Sequence, residues 1–314
     1  MARIPAPVAA IRAAVRRVLP AEGPVLVACS GGADSLALAA AARFVGRTVG
    51  LVTVDHGLQE GSARRASDVA AWARAEGFAP VVVSPVDVGG LPGGPEAAAR
   101  TARYAALSEA AARSEAAAVL LGHTRDDQAE TVLLALARGA GPRGLAGMPA
   151  QRGIFRRPLL DVARADTRKA CAALGLVPWD DPHNVDPAFA RSRVRGSALP
   201  ALVADLGPAV VGNLARSAAM IAADNEALDA LAEAALGAAV ELDTAEISKL
   251  SPAVRRRVLH LWARRLGAPG SALSHRHVEA LDALVADWHG QGPVHLPGAI
   301  VVARVRGVLA REPG

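Results

Sequence analysis

The sequence predicts an α/β protein: a doubly wound, mostly parallel sheet over residues 1–206, then a smaller, mainly helical domain over 207–314 that ends in short strands. Three observations carry that prediction. Four apolar runs rich in β-branched residues, VLVAC at 25–29, VGLVTV at 49–54, PVVVS at 80–84 and AAVLLG at 117–122, have the length and composition of strands buried on both faces. Each is followed by a stretch of helix-forming composition, at 34–46, 61–77, 95–113 and 125–138. After residue 138 the alternation stops, and RGAGPRGLAGMPAQRG reads as loop from its glycine and proline density.

In such a sheet, ligands bind at the carboxyl ends of the strands. The first strand turns into its helix through SGGADS, residues 30–35. Gly31 and Gly32 let the backbone take positive φ and let an anion approach the amides of Ser30, Gly31, Gly32, Ala33, Asp34 and Ser35, while Ser30 and Ser35 add hydroxyls. Asp34 alone also reads as a favourable acid in a helix first turn. No lysine stands at the spacing of GxxxxGK[ST], so this is not a Walker loop. The second strand closes on VDHGLQ, where Val54, Asp55 and His56 could line a base pocket or form a capped turn. GGLPGGP at 89–95 lacks GxGxxG spacing and reads as loop. On the helix that follows, Arg100 and Arg103 share a face, with Tyr104 one turn beyond Arg100. They could hold phosphates, or Arg100 could pair with Glu96 at the surface.

The fourth strand ends at Gly122 and runs into LGHTRDDQAETVLL. Thr124 to Asp127 fits a capping box, which does not account for Glu130. Asp127 and Glu130, three apart, form an acid pair able to recognise an ammonium group; Asp126 and Glu130 could instead flank a magnesium ion with pyrophosphate oxygens. A helix at 164–174 leads through WDDPHNVDP to ARSRVRGSALPAL, and a long alanine-rich helix at 208–236 opens the second domain. Helices at 252–266 and 274–288 follow, and three strand-like runs broken at Pro297-Gly298 and Arg306-Gly307 suggest a β-meander.

The net charge of +5 favours a polyanionic partner, and with Lys169 and Lys249 the only lysines, nearly all of the basic charge is arginine, the better match to phosphate. Cys29 and Cys171 are the only cysteines, which argues against a disulfide scaffold, a zinc site or an iron–sulfur cluster. No run of about 18 apolar residues occurs and the N-terminal stretch has no signal-peptide layout, so a cytoplasmic protein with no membrane partner is expected.

SGGADSLAL resembles the PP-loop, SGGxDS, of the N-type ATP-pyrophosphatases, Rossmann-like enzymes that bind ATP, release pyrophosphate and leave an adenylated intermediate. Taken together, SGGADS, VDHGL, EAAARTARY, GHTRDDQAETVLL, RGAGPRGLAGM, RRPLLDVAR and WDDPHNVDPAFARSRVR occur in the order and spacing of the tRNA(Ile)-lysidine synthase family, closely over about residues 20–200 and more loosely beyond. Ser192 departs from the family's RNRxR, and many members carry a further C-terminal domain. The resemblance implies ligation of the ε-amine of free L-lysine to C2 of the wobble cytidine in an isoleucine tRNA with a CAU anticodon, through an adenylated cytidine. It implies residues 30–35, 54–56 and Gly122 at ATP, Mg²⁺ near Asp34 and Asp126, and Arg100 and Arg103 at the adenylated intermediate. Asp127 and Glu130 would take the lysine. Arg138, Arg143, Arg191, Arg193 and Arg195, with Arg255, Arg256 and Arg257, are the candidates for gripping RNA. A homodimer is compatible with this reading; a tRNA thiolation enzyme, an NAD synthetase and a non-catalytic RNA-binding relative are its rivals.

Overall fold

The computed structural model describes residues 4–46, 48–57, 61–87, 94–182 and 186–312. Most of GGLPGGP and the centre of WDDPHNVDP lie outside the described residues. The chain forms two compact units, Met1–Met220 and Ile221–Gly314.

In the first unit, helix α1 (Ala6–Val18) precedes four strands, β1 (Val25–Ala28), β2 (Val49–Asp55), β3 (Val81–Pro85) and β4 (Ala118–Leu120). Helices α2 (Ala33–Val45), α3 (Ser62–Ala75) and α4 (Gly94–Arg113) connect them, and α5 (Arg125–Ala137) follows β4. These are the alternating elements expected from the apolar runs. β1 pairs in parallel with β2 and β4, and β2 with β3. Ile11, Val15, Leu38, Leu51, Leu159 and Cys171 pack in one buried cluster, and Leu26, Val52, Leu107, Ala110 and Val119 in another. Residues neighbouring along β1 and β2 fall into opposite clusters, as they must when a strand is buried on both faces.

After α6 (Pro142–Leu145), a short hairpin, β5 (Gln151–Arg152) and β6 (Phe155–Arg156), extends the sheet to the order β3-β2-β1-β4-β6-β5. β6 runs parallel to β4, and β5 is antiparallel to β6. The loop expected here conceals a hairpin because each strand has two residues, too few to show alternation. Helix α7 (Arg164–Ala173), α8 (Ala190–Arg193), a π-helical turn (Val194–Ala198), α9 (Leu199–Leu206) and α10 (Ala209–Leu236) complete the connection. The expected boundary at 206/207 falls at the turn before α10, whereas the compact units divide at 220/221, inside that helix.

The second unit contains β7 (Leu242–Asp243), α11 (Thr244–Ser248), α12 (Pro252–Arg265), α13 (His275–Ala286), β8 (Val294–Leu296), β9 (Ile300–Val305) and β10 (Val308–Arg311). The meander β8–β9–β10 is present, and β7 adds a fourth antiparallel strand beside β10. Trp262, Leu259, Leu281, Leu284, Val302 and Leu309 form its core. The arginine triplet named as an RNA candidate makes ion pairs within this unit, with Arg256 still exposed. Arg255 Nε donates to Asp282 Oδ1 at 2.6 Å, Arg256 Nε to Asp282 Oδ2 at 3.0 Å, and Arg257 Nη1 to Asp229 Oδ1 at 2.5 Å. Asp282 is buried, so its charge needs these partners. Among the described residues, no single helix is long and apolar enough to cross a membrane.

Candidate active site

The chain proceeds outward from β1 to β2 and β3, then returns to place β4 on the other side of β1. This reversal opens a crevice at the carboxyl ends of β1 and β4, and residues 30–35 and Gly122 both lie there. Gly31 takes φ +84°, the left-handed region. Gly32 is an extended helix N-cap at φ −73°, so only the first glycine is required for its backbone angle. No side chain caps α2, which leaves its first N–H groups and the positive end of its dipole available to an anion.

Ser35 lies inside the loop. Its buried hydroxyl donates to Gly32 O at 2.9 Å and accepts from Ser30 N at 3.2 Å, so it shapes the loop from within. Trp179 N donates to Gly31 O at 3.0 Å, and the Arg65 guanidinium lies 4.1 Å from the centre of the Trp179 ring. A Cβ on Gly122 would stand 3.2 Å from Asp34 C and from Ser35 N and Cα, all backbone at the start of α2. Gly122→Ala is therefore expected to push the loop and helix start apart, destabilising the fold by about 1–3 kcal/mol and weakening ATP binding. Thermal unfolding with and without ATP checks this.

Asp34 accepts a hydrogen bond from Thr167 Oγ1 and has Arg164 Nε at 3.7 Å. Burial raises its pKa from 3.8 to about 6; the Thr167 bond opposes the rise and the charge of Asp127 adds to it. The folded protein thus holds this proton more tightly than the unfolded chain. The stabilisation is complete below the unfolded value of 3.8 and is lost as pH rises through about 6. Thermal melts between these limits should show wild-type stability falling with pH relative to Asp34→Asn, which lacks the titration.

At the end of β2, Asp55 Oδ1 accepts from Gly57 N at 3.0 Å, the capped turn that was one of its two readings. Arg103 Nε donates to His56 Nε2 at 3.2 Å, joining two expected site residues 47 apart in sequence. Burial and the Arg103 charge both lower the His56 pKa, keeping the ring neutral. Arg100 lies 5.1 Å from the Tyr104 ring centre, and Tyr104 Oη accepts from Arg157 at 2.9 Å. Arg100 and Arg103 remain exposed on the helix.

Asp127 closes the expected capping box with one oxygen and meets arginines with the other. Thr124 N and Oγ1 each donate to its Oδ2 at 2.8 Å, closing the capping box. Its Oδ1 accepts from Arg164 at 2.8 Å and Arg195 at 3.1 Å. Burial would raise its pKa, but the Arg164 charge and the Thr124 bonds prevail and hold it below the usual carboxylate value. The fully buried Glu130 side chain accepts from Arg164 at 3.0 Å and from Arg195 at 2.8 and 3.1 Å, with Arg191 Nε at 3.4 Å. The other reading of these acids places Asp126 and Glu130 around a magnesium ion. Glu130 is committed to arginines, while Asp126 Oδ2 accepts from Arg164 N at 2.8 Å at the start of α7. Among the described residues no three His, Cys, Asp or Glu side chains gather as a metal cage.

Of the arginines expected at RNA, Arg138 and Arg143 are exposed, and Arg193 donates to Pro187 O and Ala188 O at 2.7 and 3.0 Å. Arg191 and Arg195 turn instead toward the acids, with Arg191 also donating to Thr131 Oγ1 at 2.7 Å. Sequence reasoning assigned no role to Arg164, Thr167 or Trp179. Arg164 lies 37 residues from Asp127, and no local period connects them.

A glycine turn after β1, an uncapped helix start at the sheet's switch point and an adjoining carboxylate define a PP-loop nucleotide-using α/β protein. The model of the PP-loop domain matches residues 9–202, and that of the TilS substrate binding domain matches 242–309. The tRNA(Ile)-lysidine synthase of Salinispora tropica is 64% identical over 100% of this chain and 99% of its own length. That of Thermobifida fusca is 55% identical, over 94% of each. Among solved structures, the U34-tRNA thiolase NcsA from Methanococcus maripaludis with its [4Fe-4S] cluster superposes with a TM-score of 0.55 at 17% identity, covering 68% of this chain and 77% of that one, a likeness of fold. The chain belongs to the tRNA(Ile)-lysidine synthase family.

Proposed function

We propose that this protein joins the ε-amine of lysine to C2 of the wobble cytidine of a CAU-anticodon isoleucine tRNA, in the cytoplasm, at the expense of ATP. The observation that carries the reading is Arg164, which reaches Asp34 at 3.7 Å and Asp127 at 2.8 Å. One guanidinium thus spans the PP-loop acid and the acid pair, so an activated base over the loop and an amine at the acids lie next to each other.

In the first step the cytosine C2 oxygen bonds to the α-phosphorus of ATP and the bond to pyrophosphate breaks. The amides at the start of α2 receive negative phosphate oxygens, and exposed Arg100 and Arg103 offer charge to the adenylated base. In the second step the amine nitrogen bonds to C2, the C2–oxygen bond breaks, and AMP leaves with that oxygen. Asp127 and Glu130 orient the ammonium, and one of them accepts the proton it must lose. Asp34, a single carboxylate beside the loop, suits Mg²⁺, which is commonly held by one or two carboxylates together with phosphate oxygens. The ion, when bound, would neutralise charge on the leaving pyrophosphate.

The thiolation alternative finds little support in the cysteines. Cys29 Sγ donates to Ser35 Oγ at 3.5 Å and Cys171 Sγ to Ala33 O at 3.3 Å, both buried beneath the loop. Burial pushes the Cys29 thiol up and the Cys171 thiol to about 11, so neither is a nucleophilic thiolate at neutral pH. ATP–pyrophosphate exchange tests the proposal: it should require the CAU isoleucine tRNA. Exchange without RNA would point to an NAD-synthetase-like activity, and no exchange with that tRNA would remove the enzyme reading.

A further inference from the structure

Arg157 is a buried cation with no acid beside it. Only 4% of the residue is exposed, and among the described residues no carboxylate pairs with it. Its Nη1 donates to Pro149 O at 2.8 Å and its Nη2 to Tyr104 Oη at 2.9 Å, while Nε is buried without a partner. Burying a charge is costly unless it is paired, and two neutral acceptors do not pair it.

The topology puts this charge at the crevice. β6 runs parallel to β4, so the carboxyl ends of both strands lie at one margin of the sheet, and Arg157 directly follows β6. Burial lowers the pKa of His123, next to Gly122, to about 3; Asp127 opposes that shift and the charges of Arg157 and Arg100 add to it. Both guanidiniums therefore stand close to the end of β4.

Tyr104 is what they hold in common. Arginine has donors only, so the Tyr104 oxygen must be the acceptor toward Arg157 Nη2 at 2.9 Å and toward Arg100 Nη2 at 3.5 Å. Its own hydroxyl hydrogen then points away from both, and among the described residues nothing accepts it. A hydroxyl that accepts from a cation is polarised and donates more strongly. The ring is held in place, with Phe155 meeting it edge-on at 4.9 Å between centroids and Arg100 lying 5.1 Å from its centre. With two guanidiniums beside it, the acceptor that best completes this donor is an anionic oxygen.

We propose that Tyr104 binds a phosphate of the activation step: its hydroxyl, held by Arg157, donates to a non-bridging phosphoryl oxygen, either of the α-phosphate that passes from ATP to cytosine or of the RNA backbone beside that cytidine. This rests on the reading of the crevice as the place where the cytidine is adenylated. Arg157 is a positioning residue that acts on the phosphate through Tyr104.

Sulfur accepts hydrogen bonds poorly, so sulfur substitution tests the contact atom by atom. Single-turnover adenylation of the CAU isoleucine tRNA by the full chain is measured with sulfur at either non-bridging α-oxygen of ATP, and with a phosphorothioate on either side of the wobble cytidine. Wild type should lose about 10-fold or more at the one oxygen that Tyr104 meets. Tyr104→Phe, which keeps the ring against Phe155, should slow the unsubstituted reaction by a similar factor and abolish the sulfur penalty at that oxygen alone. A penalty abolished in ATP assigns the donor to the α-phosphate, and one abolished in the tRNA assigns it to the backbone. Sulfur penalties identical in both proteins would overturn the proposal, because a merely structural tyrosine slows every substrate alike. So would a wild type with no sulfur penalty at any position, an arm that needs no variant to fold. Adenylation of the unsubstituted substrates by wild type separates the two levels. If it is present and the sulfur pattern is not, only the role of Tyr104 fails; if it is absent, the adenylation reading fails and this inference with it.

Discussion

Asp34→Asn is expected to lower tRNA-dependent ATP–pyrophosphate exchange on the order of 10²–10³-fold, the usual cost of removing one preorganised electrostatic group from a reacting centre. The substitution keeps the shape of the side chain, and its amide oxygen can still accept from Thr167 Oγ1. What disappears is the charge. A fall shared with ATP affinity would place Asp34 in binding; a fall in turnover alone would place it at the reacting atoms.

The second large effect is expected at Glu130, where substitution should divide the two half-reactions. Glu130→Gln removes a fully buried charge that accepts from Arg164 and Arg195, and leaving those guanidiniums short of a partner should destabilise the protein by about 3–5 kcal/mol. At a temperature where the variant is folded, exchange should persist within about tenfold, because the PP-loop amides do not touch Glu130. Lysine incorporation should fall on the order of 10²–10³-fold. Single-turnover measurement of each half-reaction would show this split. Parallel loss of both steps would place Glu130 in the scaffold and not at the amine.

The parallel sheet was legible because VLVAC, VGLVTV, PVVVS and AAVLLG each carry a local signal, the continuous apolar run of a strand buried on both faces. The hairpin β5–β6 was not, since its pairing to β4 is a long-range choice with no pattern in its own four residues. The loop and the acid pair were readable from spacing within a few residues: Gly31 from its turn, Asp127 and Glu130 from a shared helix face. The ties between them were hidden. Arg164 to Glu130, Arg195 to Asp127 and Thr167 to Asp34 join residues 34, 68 and 133 apart, and such contacts exist only once the sheet has folded. For the same reason the contacts of Arg191 and Arg195 with Glu130 had no signal in the basic run ARSRVR.

The central claim is that this site activates a cytidine and delivers lysine to it. Incorporation of radiolabelled lysine into the CAU-anticodon isoleucine tRNA, with ATP, measured beside the methionine tRNA that carries the same anticodon, tests it most directly. The account predicts label in the isoleucine tRNA, dependent on ATP and lost in Asp34→Asn and Glu130→Gln, with little in the methionine tRNA. No label in the isoleucine tRNA, or equal label in both, would contradict it.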